Sequence, residues 1–160
     1  MRIAVYAGTF DPVTNGHLDI LSRSVMLFDK VIIGVAESTP KDTCFSLSER
    51  VEMLKAATKG MDRVEVLEFR GLLVEFAKKV GALAVIRGLR VVSDFEYEFQ
   101  MALMNRRLSN KIETVFLMPS EEYTYLSSSL IKEIAAAGGD VSQFVPDVVV
   151  EHLKRKFKKG

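Results

Sequence analysis

Apolar residues fall along the chain in two alternating kinds of run. Short, nearly continuous runs occupy Arg2–Ala7, Val31–Ala36, Val64–Phe69, Leu83–Ile86 and Glu113–Met118. Their length and β-branched content predict strands buried on both faces. Between them, apolar positions recur every three or four residues, the spacing that gathers side chains on one face of a helix. This predicts helices from about His17 to Phe28, Ser46 to Thr58, Leu72 to Val80, Asp94 to Leu108, Ser128 to Ala137 and Pro146 to Lys156. Two boundaries carry their own signals. Ser46-Leu47-Ser48-Glu49 matches a capping box, in which hydroxyl and carboxylate each satisfy a backbone amide at the helix start. Gly81 is suited to the left-handed conformation that closes a helix. In the long fourth helix Phe95, Phe99 and Leu103 are spaced to share a face.

Strands alternating with helices of about ten residues or more define a parallel sheet, because parallel strands need crossover connections. The expected architecture is a single-domain, Rossmann-like, doubly wound α/β fold over residues 1–160, with five parallel strands and helices closing the C-terminus. In open sheets of this kind ligands bind beyond the carboxyl ends of the strands. The loops beginning at Gly8, Glu37, Arg87 and Pro119, joined by Phe69–Leu73, should therefore share one rim.

Composition narrows the partners. The 160 residues are 48% hydrophobic, enough for one sizeable core, and 22 Lys+Arg against 21 Asp+Glu give a net charge of +1. That balance argues against broad adhesion to nucleic acid or an anionic membrane, so an anion site must be built locally. The basic end Lys154–Lys159 suits a helix C-terminus, where cations complement the dipole. The lone Cys44 has no partner for an internal disulfide, which points to a reducing, cytoplasmic setting. No apolar run reaches the length of a membrane span, and the first residues do not read as a leader.

The predicted rim collects donors suited to phosphate: Thr9, His17, Lys41, Arg87, Arg90 and the hydroxyls of Ser127, Ser128 and Ser129. Taken singly, His17 reads as a first-turn residue, the serines as a helix cap and Lys41 as a solvated loop lysine. Two arginines directly after an apolar strand are harder to dismiss, and the coincidence of all of these on one rim favours a binding site. Neither common nucleotide fingerprint occurs. Gly8–Gly16 lacks the Gly-Lys-Ser/Thr ending of a phosphate loop and the glycine triplet of dinucleotide binders.

The stretch GTFDPVTNGH, Gly8 to His17, resembles the T/H-x-G-H signature of nucleotidylyltransferases, and Leu126-Ser127-Ser128-Ser129 resembles their second, serine-rich signature. Ile86–Arg90, Asp94–Glu98 and Val115–Ser120 are similar, in order and spacing, to segments of the bacterial phosphopantetheine adenylyltransferase family. Thr14 takes the first place of the signature, Ala7 stands where many relatives have proline, Asp42 follows Lys41 where a second lysine is frequent, and Tyr123 replaces a tryptophan. The resemblance implies adenylyl transfer from ATP to 4′-phosphopantetheine, giving dephospho-coenzyme A and pyrophosphate. It also implies a homohexamer, feedback by coenzyme A, and Mg²⁺ carried mainly by ATP, with no residue assigned as a direct metal ligand.

By position, the resemblance assigns ATP to Thr9, Phe10, His17, Gly88, Leu89, Arg90, Glu98, Tyr123, Thr124, Tyr125, Leu126, Ser127, Ser128 and Ser129. It assigns phosphopantetheine to Thr9, Lys41, Leu73 and Arg87, and catalysis to His17, Lys41 and Arg90. The chemistry is consistent with that set. A phosphate monoester has a second pKa of about 6, so the acceptor attacks as a dianion and needs no general base. His17 is then expected to donate a hydrogen bond to the α-phosphate as charge develops there. Two rivals stay open: an adenylyltransferase for another acceptor such as nicotinamide mononucleotide, and a nucleotide-binding sensor without catalysis.

Overall fold

The computed structural model describes residues 1–37, 43–90 and 92–158, with the backbone alone at 92–94. Five parallel strands form one sheet in the order β3-β2-β1-β4-β5, where β1 is Ile3–Gly8, β2 Lys30–Ala36, β3 Val64–Phe69, β4 Ala84–Gly88 and β5 Glu113–Leu117. Ladders run Val5 beside Ile32 and Val85, and Val85 beside Thr114. The strand order reverses between β1 and β4, so the chain leaves the sheet in opposite directions on either side of that pair. A crevice opens at their carboxyl ends. The five-stranded parallel, Rossmann-like α/β sheet expected from the sequence is the one observed.

Alternation along the strands divides the core. Ala4, Tyr6, Val31, Ile33 and Ile86 face one side. There they meet α1 (Asn15–Leu27), α2 (Leu47–Ala57) and α6 (Asp147–Lys156) through Ile20, Leu21, Met53, Leu54, Val149 and Leu153. Val5, Ala7, Ile32 and Val85 face the other side, against Val74, Phe76 and Ala77 of α3 (Leu73–Lys79). Strands buried on both faces explain why their sequences read as continuous apolar runs. Two helices remain, α4 (Val92–Leu108) and α5 (Ser128–Ala136), and a short 3-10 turn at Glu121–Tyr123 precedes α5. No helix among the described residues is long and apolar enough to cross a membrane.

The capping box expected at Ser46 is present: its Oγ accepts the Glu49 N–H at 3.1 Å, and Glu49 returns a carboxylate to the Ser46 N–H at 3.0 Å. Gly81 takes φ +77° after α3. Helix α1 starts at Asn15, two residues before the expected position, because Thr14 caps it. The apolar face of α4 is a periodic stripe as expected, but it is not core. Phe95, Phe99 and Leu103 are 47%, 47% and 44% exposed, with the two phenylalanine rings stacked at 5.6 Å.

Candidate active site

A cavity of about 400 Å³ lies at the carboxyl ends of β1 and β4, where the strand order reverses. Its floor is the signature loop. Gly8 and Thr9 lead to Phe10, which is buried in the left-handed region at φ +52° and packs its ring edge-on against both Tyr6 (5.4 Å) and His17 (4.9 Å). A non-glycine residue held in that conformation stores strain that surrounding contacts must sustain. A methyl group on Gly8 would approach the Phe10 ring to 3.2 Å, so glycine is what lets the ring lie there.

His17 is the third helical residue of α1 and completes a capping box of uncommon composition. The Thr14 Oγ1 accepts from the His17 N–H at 3.4 Å, and the Thr14 N–H donates to His17 Nδ1 at 2.9 Å. An amide N–H only donates, so Nδ1 is the acceptor and the neutral ring carries its proton on Nε2. Withdrawal from solvent, then the charges of Arg90 and Arg87, push the imidazole pKa down to about 4. His17 is thus a neutral ring on the cavity wall whose only N–H is at Nε2.

Arg87 and Gly88 end β4 and enter the cavity from the neighbouring strand. The guanidinium is fixed on three sides: Nε and Nη2 donate to the two oxygens of Glu98 at 2.8 Å each, and Nη1 donates to Ala7 O at 2.9 Å. Burial works against its charge, but the Glu98 hydrogen bonds and carboxylate outweigh it and raise its pKa. Arg90 Nη1 donates to Leu126 O at 2.8 Å, joining the β4 loop to the serine-rich segment. There Ser127 caps α5 by accepting the Leu130 N–H at 3.0 Å, and Ser128 Oγ reaches back to Pro12 O at 2.8 Å. The two signature segments, more than a hundred residues apart, form one wall.

Of the residues assigned from sequence, Thr9, Phe10, His17, Arg87, Gly88, Arg90, Glu98, Tyr123, Leu126, Ser127, Ser128 and Ser129 line this cavity. Four described ones do not. Leu73 packs beneath the sheet with the α3 cluster. The Leu89 N–H is spent on Leu117 O at 3.0 Å. Thr124 Oγ1 turns back to Glu121 O, and Tyr125 is 60% exposed. Lys41 and Asp42 lie outside the described residues. Glu37 and the loop after Phe69 share the rim, tied by an Arg70–Glu37 pair at 2.7 Å, and the described residues of that loop do not border the cavity.

Three polar groups escaped the sequence reading. Asp11, buried on the wall, accepts the N–H groups of Cys44 and Phe45 at 2.8 and 2.9 Å and pairs with Lys132 at 2.8 Å. Lys132 lies four residues after Ser128, a helical spacing visible in the sequence. Arg50, 1% exposed, donates to Thr9 O (2.8 Å), Ala36 O (2.9 Å) and Phe45 O (3.3 Å), and so fixes the signature loop to the end of β2 and the entry to α2. Asp19 on α1 accepts from the Ser120 N–H at 2.8 Å and from Arg23 at 3.1 Å, holding the loop after β5.

A switch-point cavity walled by arginines, hydroxyls, helix starts and one neutral imidazole is what an α/β enzyme of nucleotidyl transfer requires. The cytidylyltransferase-like family profile matches residues 5–134. A phosphopantetheine adenylyltransferase from Caldanaerobacter subterraneus subsp. tengcongensis is 60% identical over 160 residues, with all of both chains covered. Another from Methylacidiphilum infernorum is 53% identical, covering 99% of this chain and 93% of that one. A solved structure from Vibrio parahaemolyticus, provisionally named a nicotinate-nucleotide adenylyltransferase, superposes with a TM-score of 0.73 at 16% identity, covering 100% and 98% of the two chains; it shows the shared fold. The chain belongs to the phosphopantetheine adenylyltransferase family, within the cytidylyltransferase-like nucleotidyltransferases.

Proposed function

We propose that this chain, acting as one catalytic domain over residues 1–160, transfers the adenylyl group of ATP to 4′-phosphopantetheine and releases pyrophosphate. The observation that carries the reading is the His17 capping box: Thr14 takes Nδ1, so the Nε2–H is the group offered to the cavity that both signatures line. In the reaction an oxygen of the acceptor phosphate bonds to the α-phosphorus, and the bond from that phosphorus to the α–β bridging oxygen breaks. Dephospho-coenzyme A and pyrophosphate result. The acceptor arrives ionised, so no proton has to be removed. His17 donates from Nε2 to the α-phosphoryl oxygen, most strongly as charge builds there.

Thr9 serves both substrates, and Arg87 with Lys41 receives the acceptor phosphate. Arg90, Ser128 and Ser129 hold the departing pyrophosphate beside the α5 N-terminus, where free amides and the dipole favour anions. Asp11 and Glu98, the carboxylates on the wall, are each engaged by a cation, and among the described residues no three His, Cys, Asp or Glu side chains cluster to hold a metal. That donor set suits a Mg²⁺ ion borne by ATP oxygens and water. When bound, the ion spreads the charge of the phosphoryl oxygens.

The reading extends to a cytoplasmic homohexamer inhibited by coenzyme A, which carries the product skeleton with one added phosphate. The unburied stripe of Phe95, Phe99 and Leu103 supports self-association, and light scattering tests it. The activity itself is tested by pyrophosphate release from ATP with 4′-phosphopantetheine or nicotinamide mononucleotide. A strong preference for phosphopantetheine is expected. Preference for the nucleotide acceptor, or ATP binding with no pyrophosphate from either, would overturn it.

A further inference from the structure

Tyr6 stands in the middle of the sheet, paired with Ile33 of β2 on one side and Ile86 of β4 on the other. Those ladders enclose its backbone, so what it presents to the cavity is the side chain. The residue is 5% exposed. Its ring stands edge-on to Phe10 at 5.4 Å and lies 6.4 Å from the imidazole of His17. Yet the phenol hydroxyl makes no hydrogen bond to any described residue. Buried hydroxyls are bonded as a rule, because withdrawing one from water without a partner costs stability that a phenylalanine in the same space would retain. A hydroxyl at a cavity wall with no partner in the chain is satisfied by a ligand that brings one.

The surroundings indicate the chemistry of that partner. Burial pushes the phenol pKa above its ordinary value, so the group stays a neutral O–H donor. Arg87 and Arg90 each act on it more strongly than the carboxylates Asp19 and Glu98 do, which places the hydroxyl in a positive field. The same two guanidiniums are the charges that act on the His17 ring. Two neutral donors in the field of one pair of cations suit a single anion held by both, whereas an uncharged sugar hydroxyl gains little from that field.

We propose that the Tyr6 hydroxyl donates to an α-phosphoryl oxygen of bound ATP, beside the Nε2–H of His17, and stays bonded there as the adenylyl group transfers. The proposal rests on the adenylyl-transfer reading above. The phenol keeps its proton throughout and adds a second fixed donor at the phosphorus centre. Tyr6→Phe removes the hydroxyl and keeps the ring. With magnesium and ATP, the full-length variant should bind the nucleotide about tenfold more weakly in calorimetric titration, and its kcat/KM for ATP should fall about tenfold to a hundredfold. The KM for 4′-phosphopantetheine should stay within about threefold of the parent's. The unliganded variant should unfold at the parent's temperature or above it, since a bond to the ligand contributes nothing in the ligand's absence.

Titrations with 2′-deoxy-ATP and 3′-deoxy-ATP locate the contact. A bond to a phosphoryl oxygen survives loss of either sugar hydroxyl, so the penalty of Tyr6→Phe should be the same with both analogues as with ATP. Binding needs no turnover. A parent chain that binds ATP but releases no pyrophosphate would therefore count against the activity and leave the calorimetry to decide Tyr6. ATP binding and kcat/KM both within about threefold of the parent's would overturn the proposal. So would a penalty that disappears with one deoxynucleotide, which would put the hydroxyl on the sugar. An unliganded variant that melts several degrees lower would overturn it too, by giving the hydroxyl a partner within the chain.

Discussion

His17 serves two purposes, and two substitutions separate them. In His17→Ala the Thr14 N–H loses its partner at Nδ1, 2.9 Å away, and Thr14 is 2% exposed. An orphaned buried donor costs about 1–3 kcal/mol, so the variant should unfold at lower temperature as well as lose the Nε2–H donor. His17→Gln restores the helix start, because a glutamine three residues after the cap returns an oxygen to the cap N–H in the ordinary form of the box. Its amide does not stand where the imidazole Nε2 stood. The expected result is near-parental stability in His17→Gln, with turnover lowered about 10²–10³-fold in His17→Ala and far from restored in His17→Gln. Calorimetric unfolding and steady-state pyrophosphate release measure the two separately. Turnover within a few-fold of the parent's in both variants would refute the donor role, and equal destabilisation of both would refute the capping role.

The pH dependence follows from the same ring. Its pKa falls from 6.5 unfolded to about 4 folded, so the folded state binds fewer protons over that window. Stability contributed by the neutral ring is therefore full above pH 6.5 and lost as pH falls toward 4. The change is up to about 3 kcal/mol, and less where water in the cavity reaches the ring. At pH 7 about one ring in a thousand is protonated, so His17 adds no limb to the rate profile near neutrality. The limb near pH 6 belongs to the acceptor phosphate and should persist in His17→Gln. Its disappearance there would show that the histidine, not the substrate, titrates during turnover.

Arg50→Met strips a charged donor from three backbone carbonyls and should cost about 3 kcal/mol or more, with KM raised for both substrates because Thr9 is released; parental melting would contradict this. Gly34→Ala puts a methyl group 2.9 Å from Phe76 and 3.3 Å from Phe69, whose rings stack at 4.7 Å, and should destabilise by about 1–3 kcal/mol in thermal unfolding, whereas an unchanged midpoint would mean that the rings shift freely. Arg87→Ala should weaken phosphopantetheine more than ATP, partly by leaving the Glu98 carboxylate beside the anion. Adding Glu98→Gln should then recover part of the loss, and a double variant no better than the single one would exclude repulsion as a cause.

Strands β1, β2 and β4 were legible because burial on both faces leaves no alternation to misread, and the α2 start because serine and glutamate spell its box. The α1 start was harder to read: at the third helical position a histidine does the work of glutamate, so the box does not look like one in the sequence. Strand β4 was read as ending at Ile86, two residues early, because Arg87 and Gly88 extend the ladder through backbone pairing while their side chains meet the cavity. The stripe on α4 was visible, but periodicity names a helix face without naming what covers it. Asp11, Arg50 and Lys132 could not be paired from sequence. Their partners lie 121 and 41 residues apart along the chain, and only the crossover topology brings them together.

The cavity wall selects anions by competition. Among the described residues Arg87, Arg90 and Lys132 line it, and both Arg87 and Lys132 hold a carboxylate at 2.8 Å. A single weak anion gains little by displacing an intramolecular carboxylate that is fixed in position, since the effective concentration of that carboxylate is high. A polyphosphate that also engages helix amides, hydroxyls and the His17 Nε2–H can outcompete it through several bonds at once. The ion pairs keep the guanidinium and the ammonium oriented before substrate arrives, lowering the reorganisation needed as charge moves onto the transferring group. If this is right, added sulfate or chloride at physiological strength should inhibit weakly, whereas inorganic pyrophosphate should inhibit strongly and in competition with ATP. Equal inhibition by sulfate and pyrophosphate would mean that the carboxylate partners exert no such selection.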